Sequence, residues 1–312
     1  MSVTAFVFPG QGSQSIGMLS DLANQYPLTL DLFDSVSQRL GYDVWAMVQN
    51  GPESKLNQTE HTQVAMLTAD VAIYRVLQQE LPIAANLMAG HSLGEYAALV
   101  CAGSLELSAA AALVAKRGQL MQQTIPLGLG AMAAIVGLTD EQVRLICEQA
   151  STNDLQVTPA NYNAIGQVVI AGHTIAVEKA IVLAEKMNAR LAKIIPVSVP
   201  CHCDLLTPAA EMFMDALQET QFNPPLLPVI SNVDLSIYTT PEQIRTLLKQ
   251  QLYRPVRWVE TIQHMKENGV ELIVECGPGK VLNGLIKRID KTIQTMSVHD
   301  QASFHSALTL LG

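Results

Sequence analysis

The chain has 312 residues, of which 49% are hydrophobic and 15% charged, with a formal net charge of −9. That balance describes a folded chain with a sizeable core and excludes a disordered one. The negative charge argues against a general affinity for nucleic acid or an anionic membrane surface, so an anionic substrate has to be met by a local cation.

The first strand is read at 5–8, and it breaks at Pro9-Gly10-Gln11-Gly12-Ser13-Gln14. A dinucleotide fingerprint needs glycine at position 15, where Ser15 stands, and a P-loop needs a Gly-Lys-Ser/Thr that is absent. The loop is left as a candidate for presenting backbone N–H groups to some other anionic centre. Residues 19–80 read as several helices broken at Gly51-Pro52. His61-Thr62-Gln63 opens an apolar-periodic run through Val64, Leu67, Ala72, Ile73 and Val76, which makes His61 a helix-entry or surface residue.

Leu87-Met88-Ala89 closes a buried strand, Gly90-His91-Ser92-Leu93-Gly94 turns, and Leu93, Tyr96, Ala97, Val100 and Cys101 form one face of a helix. Gly103 stops it, and Ser108 is placed as the cap of a helix over about 109–122 that carries Lys116 and Arg117. The Pro126, Gly128 and Gly130 cluster marks a boundary, after which the order becomes β-α-β-β-α-β. The pieces are a strand at 132–138, a helix opened by the Thr139/Gln142 capping box, strands at 156–161 and 167–171, a helix at 175–187 and a strand at 192–199. A helix at 207–219, a strand at 229–233, a helix at 242–252 and a strand at 271–275 then resume a parallel α/β pattern. The predicted fold is α/β. A large α/β-hydrolase-like parallel-sheet domain of residues 1–127 and 198–312 is interrupted by a small ferredoxin-like (βαββαβ) domain of residues 128–197.

The five cysteines make no disulfide framework in so long a chain, and no signal-peptide pattern is present, so a cytoplasmic protein is expected. The most apolar windows, such as 107–115, are too short to span a bilayer.

Strand, Gly-x-Ser-x-Gly turn and helix form the context of a nucleophile elbow. Ser92 sits at its apex, and the Leu93 N–H at the following helix N-terminus faces a developing oxyanion. A serine hydroxyl needs a base. His91 adjoins Ser92, but neighbouring side chains diverge on a sharp turn. His173, His299 and His305 lie elsewhere, and His202 follows an apolar strand at a loop start, where α/β folds place functional residues. Cys201-His202-Cys203 lacks the second Cys-x-x-Cys or spaced histidine pair that zinc requires, so no metal is expected. No acid is marked between Ser92 and His202, which favours a dyad whose histidine is oriented by something other than a carboxylate.

Phe8-Pro9-Gly10-Gln11-Gly12-Ser13-Gln14, Gly90-His91-Ser92-Leu93-Gly94-Glu95, Lys116-Arg117-Gly118, Asn161-Tyr162-Asn163, the segment 166–172, Pro196-Val197-Ser198-Val199-Pro200 with His202, Gln251-Leu252-Tyr253 and the segment 277–282 occur in one order. In them the chain resembles the malonyl-CoA:acyl-carrier-protein transacylases of type II fatty-acid synthesis. The resemblance implies a ping-pong acyltransferase in which Ser92 is malonylated and His202 is base and then acid. It implies backbone N–H groups of Gln11 and Leu93 at the oxyanion, the Gln251 carbonyl orienting His202, and Arg117 clamping the malonyl carboxylate. Physics agrees on Arg117, since a planar guanidinium matches a carboxylate two-pronged. No cofactor is implied, coenzyme A thioester being a substrate. The partners implied are malonyl-CoA and acyl carrier protein, with no nucleic acid or membrane, and the enzyme is expected to be a monomer.

Two departures from the family pattern stand out: Cys201 stands where serine is common, and Asn163-Ala164-Ile165-Gly166 replaces Asn-Ser-Pro-Gly. Lys287, Arg288 and Lys291 are a candidate docking cluster for an acidic carrier. The alternatives are an acyltransferase serving a polyketide synthase, a serine thioesterase or hydrolase, and a non-catalytic binding module.

Overall fold

A computed structural model of the chain describes residues 3–312 apart from 84, 127 and 198. The strands among these residues are β1 (Thr4–Phe8), β2 (Leu87–Gly90), β3 (Gly130–Val136), β4 (Val157–Ala164), β5 (Gln167–His173), β6 (Leu191–Ile194), β7 (Leu272–Cys276) and β8 (Gln294–Val298). They form two sheets, β2-β1-β7-β8 and β4-β5-β3-β6.

The first sheet is parallel throughout, with Phe8 opposite Gly90 and Thr4 opposite Leu272. Its central strand is buried on both faces, as parallel sheets covered by helices are. Alternation then sorts the residues: Phe6 and Phe8 enter one core cluster, and Ala5 and Val7 enter the other. The long helix Thr59–Glu80 lies in the first of these layers, where its Tyr74 meets Phe6 and Phe8 edge-on at 5.3 and 5.9 Å.

The second sheet is antiparallel, and its elements run strand, helix (Asp140–Ala150), strand, strand, helix (Thr174–Lys186), strand. Order and connectivity together are those of the expected ferredoxin-like unit. The capping box forms as read, with Thr139 Oγ1 accepting from Gln142 N and Gln142 Oε1 from Thr139 N. This sheet leans on the larger body through β4, whose Tyr162 N–H donates to Val256 O at 2.9 Å, while Val256 N–H donates to Ala160 O. The domain junctions expected after Leu127 and before Ser198 fall on residues outside the described set, as does Ser198 within the proline-flanked motif.

Several expectations need correction. The elbow helix, Gly94–Cys101, is buried all round and not on one face, because it lies beneath the sheet edge among other helices. The next helix starts at Leu107 with Glu106 as its cap, so Ser108 lies inside it and does not cap it. Residues 229–233 form no strand. Val229 makes only a parallel bridge to Met88, and Ile230 makes an antiparallel one to Ile237, since the chain turns back at once. β6 ends at Ile194 instead of continuing to 199, with Pro196 two residues beyond, unable to donate to a ladder. The edge strand β8 and the closing helix Gln301–Leu311 lie outside the elements expected from the sequence.

Candidate active site

The carboxyl ends of β1 and β2 lie side by side, and both open onto one cavity, the location where parallel sheets place ligands. The turn after β2 is tight enough to demand both glycines. A Cβ on Gly90 would lie 1.8 Å from the Gly94 carbonyl carbon, and one on Gly94 would lie 2.0 Å from Phe8 O. Between them Ser92 has φ +51°, the left-handed region that a non-glycine residue adopts only when its surroundings hold it there. Asn232 supplies that hold: its Oδ1 accepts from Ser92 N–H at 2.8 Å and its Nδ2 donates to Gly90 O at 2.7 Å.

His202 also sits at positive φ (+60°), with its N–H donating to Leu252 O at 3.0 Å. Its Nε2 lies 2.8 Å from Ser92 Oγ, and its Nδ1 lies 2.7 Å from the main-chain carbonyl of Gln251. A carbonyl only accepts, so Nδ1 carries the proton and Nε2 is left to accept from the serine. No carboxylate is needed for this orientation. Burial first, and Arg117 second, push the His202 pKa down to about 3, so the ring is a neutral base at ordinary pH.

Arg117, on the helix Leu107–Thr124, is only 2% exposed. Its Nη1 donates to Gln63 Oε1 at 2.9 Å, and its Nη2 donates to Gln251 Oε1 at 2.9 Å and to Ser92 Oγ at 3.2 Å. Tyr96 lies under the guanidinium at 5.5 Å. Every direct partner is neutral, and Nε has none among the described residues. A buried cation held by amide oxygens and a hydroxyl keeps its charge for an incoming anion.

The cavity, about 180 Å³, is lined by Gln11, Gln63, Ser92, Leu93, Arg117 and His202 on the side of the large sheet. Met132, Asn161 and Val169 of the small sheet close the other side. Neither the Gln11 nor the Leu93 amide enters a hydrogen bond among the described residues. His91 lies on the cavity wall, bonded through Nε2 to Asn163 Oδ1 at 2.7 Å and packed edge-on against Trp258. Cys201 and Cys203 bond to main-chain carbonyls, and burial raises their thiols to about 11 and 12, so both stay protonated. Among the described residues, no three His, Cys, Asp or Glu side chains are grouped to hold a metal ion.

Sequence reasoning missed Gln63, Glu95, Asn232 and Tyr238, and it gave Gln251 only its carbonyl. The one available signal for Gln63 was a polar residue entering an otherwise apolar helix run.

The family model described as "Acyl transferase domain" matches residues 5–304. The chain belongs to this acyl transferase family. It is 50% identical over 307 residues to the malonyl CoA-acyl carrier protein transacylase of Haemophilus influenzae, with 98% of each chain covered. It is 48% identical to the Escherichia coli K12 protein of the same name, covering 99% of this chain and all of that one. Among solved structures, the malonyl CoA-acyl carrier protein transacylase from Coxiella burnetii superposes with a TM-score of 0.97 at 47% identity, covering 99% and 98% of the two chains. A second, at 48% identity and TM-score 0.97 over 99% and 100%, is described as a malonyl-transacylase in complex with a type II PKS acyl-carrier protein. For this acyl transferase, no described helix is long and apolar enough to cross a membrane.

Proposed function

We propose that the chain transfers the malonyl group of malonyl-CoA to the phosphopantetheine thiol of an acyl carrier protein through malonyl-Ser92. The observation that carries this reading is Arg117: a buried guanidinium with neutral partners, 3.2 Å from the Ser92 hydroxyl, which itself lies 2.8 Å from His202 Nε2. An acyl group that ends in a carboxylate can pair directly with this guanidinium, whose direct partners are all neutral, whereas an acetyl group cannot.

The steps follow from the contacts. Ser92 Oγ gives its proton to His202 Nε2 and bonds to the thioester carbonyl carbon. The oxyanion that forms is met by the Gln11 and Leu93 amides, at the start of the helix Gly94–Cys101. Collapse breaks the C–S bond, and the departing sulfur takes the proton from His202. The carrier thiol then repeats the sequence in reverse order, giving its proton to His202 and releasing Ser92. Throughout, the Gln251 carbonyl steadies the imidazolium. No step calls for a cofactor, and the reading places the enzyme in the cytoplasm as a monomer.

The same proposal divides the chain into residues 1–127 with 198–312, and 128–197. Support comes from the core: among the described residues, the cluster beneath the small sheet draws only on those between Ala131 and Ala192. Lys287, Arg288 and Lys291 are exposed and suit an acidic carrier, so reversing their charges should raise the KM for the carrier at low salt. An unchanged KM removes them from the docking surface.

Intact-protein mass after malonyl-CoA treatment tests the central reading. One malonyl addition, mapped to Ser92 and discharged by holo carrier protein, is expected. Label on another residue, or rapid CoA release without a carrier, defeats it, the second outcome in favour of a hydrolase.

A further inference from the structure

Glu95 lies one turn after Ser92 on the elbow helix and has no exposed surface. Its Oε1 accepts from the Tyr238 hydroxyl at 2.6 Å and from Asn232 N–H at 3.1 Å, and its Oε2 accepts from Gln251 Nε2. Each of the last two partners leads back to the reacting atoms. Asn232 holds both arms of the elbow, as described above. Gln251 Nε2 also donates to Ser92 O at 3.0 Å, its Oε1 takes Arg117, and its main-chain carbonyl takes His202.

A side-chain amide is nearly symmetric in shape but not in polarity, and a half-turn exchanges its donor and acceptor ends. Gln251 sits between a carboxylate and a guanidinium, and only one orientation satisfies both. We propose that ionised Glu95 is a positioning residue for acyl transfer: it fixes the face that Gln251 turns to Arg117, and with it the arrangement of Arg117, Ser92 and His202. Once Glu95 is protonated its bond from Gln251 Nε2 loses the carboxylate charge, and the orientation of Gln251 is left to Arg117 and Ser92 O alone, a looser hold. The inference rests on the acyl-transfer reading above.

The charged and titratable groups that face Glu95 are Arg117, Tyr238 and Tyr96. Burial pushes the carboxyl up, the bonds from Tyr238, Gln251 and Asn232 and the charge of Arg117 pull it back, and it settles at about 7. Both tyrosines are pushed higher still and stay protonated. The lock therefore engages within the range of an ordinary assay, where His202 itself stays neutral.

The test is the rate of malonyl-Ser92 formation from pH 5.5 to 8.5, read by quenched intact mass as kcat/KM, with thermal melts alongside. For the wild type an acid limb near pH 7 is expected. Glu95→Gln should be about tenfold slower at pH 8, by the loss of one charged hydrogen bond, and should lose the limb. Tyr238→Phe keeps the carboxylate but removes a bond that favours its charge, so its limb should move up by roughly one pH unit. Glu95→Gln with the wild-type limb and rate overturns the inference. If that variant melts out, an unmoved limb in Tyr238→Phe overturns it instead. A wild type that forms no adduct removes the acyl-transfer reading beneath it, whereas a wild type that reacts normally beside unaltered variants removes only the role of Glu95.

Discussion

Two buried carboxylates near the carboxyl edge of the parallel sheet have opposite surroundings. Glu95, behind the elbow, has bonds to Tyr238, Asn232 and Gln251 and the Arg117 charge nearby. Asp70, on the long helix Thr59–Glu80, is equally buried, yet neither oxygen has a hydrogen-bond partner among the described residues. It lies against the Gly277 turn, where a Cβ would come within 2.4 Å of its Oδ1. Its carboxylate neighbour Glu275 spends its own oxygens on the N–H groups of Leu282 and Asn283, at the start of the helix Val281–Ile289. Burial raises both carboxyls. What differs is the set of donors that brings Glu95 back to about 7 and leaves Asp70 well above its usual value. Burial is common to the two, and bonding decides which of them can act as a charge.

The largest effect should come from breaking the region around Ser92 at its backbone. Gly90→Ala drives a methyl group into the Gly94 carbonyl, so the elbow cannot close, and neither malonyl-Ser92 nor a wild-type melt is expected. A normal melt with normal adduct formation would mean that the turn has room the distances deny. Arg117→Ala comes next. It removes a buried cation that the substrate carboxylate should pair with, and malonylation should fall by about 10²–10³-fold. Acetylation from acetyl-CoA should be retained or rise, and equal loss of both would strip Arg117 of its selecting role. Arg117→Lys should not restore the malonyl rate, since one ammonium cannot serve Gln63, Gln251 and a two-oxygen anion together. Gln63→Leu should cost less, about tenfold in malonyl transfer, because it frees only one side of the guanidinium fork.

The sequence made the frame readable wherever a local rule was strong. Alternation, the Thr139/Gln142 box and the Gly-x-Ser-x-Gly turn each have a short-range physical cause, and each appears where it was read. Residues 229–233 failed because an apolar run has no periodicity that distinguishes a strand from a buried bend. Ser92 and His202 were readable for chemical reasons, and Arg117 and Gln251 through family resemblance. Glu95 stood in plain view within the elbow motif, three residues from the nucleophile. Nothing local gave it a role, because its partners lie 137, 143 and 156 residues away along the chain. Gln63 escaped for the same reason, meeting Arg117 across 54 residues.

Asp70 offers the smallest effect and the cleanest contrast. Its carboxyl is raised in the folded protein and ordinary in the unfolded chain, so above about pH 4 the unfolded state gives up a proton that the native state keeps. Stability from this group is therefore fully present at low pH and is lost as pH rises toward the folded value, the reverse of a salt-bridged aspartate. Asp70→Asn keeps the shape and removes the titration. Its melting temperature should exceed that of the wild type by a few degrees at pH 8, at roughly 2 °C for each kcal/mol in a chain of this length, and the gap should close toward pH 4. Malonylation of Ser92 should be unchanged, since Asp70 bonds to nothing in the site. A gap that widens as pH falls would show that Asp70 is ionised and paired in the folded protein, and the distinction between the two carboxylates would vanish.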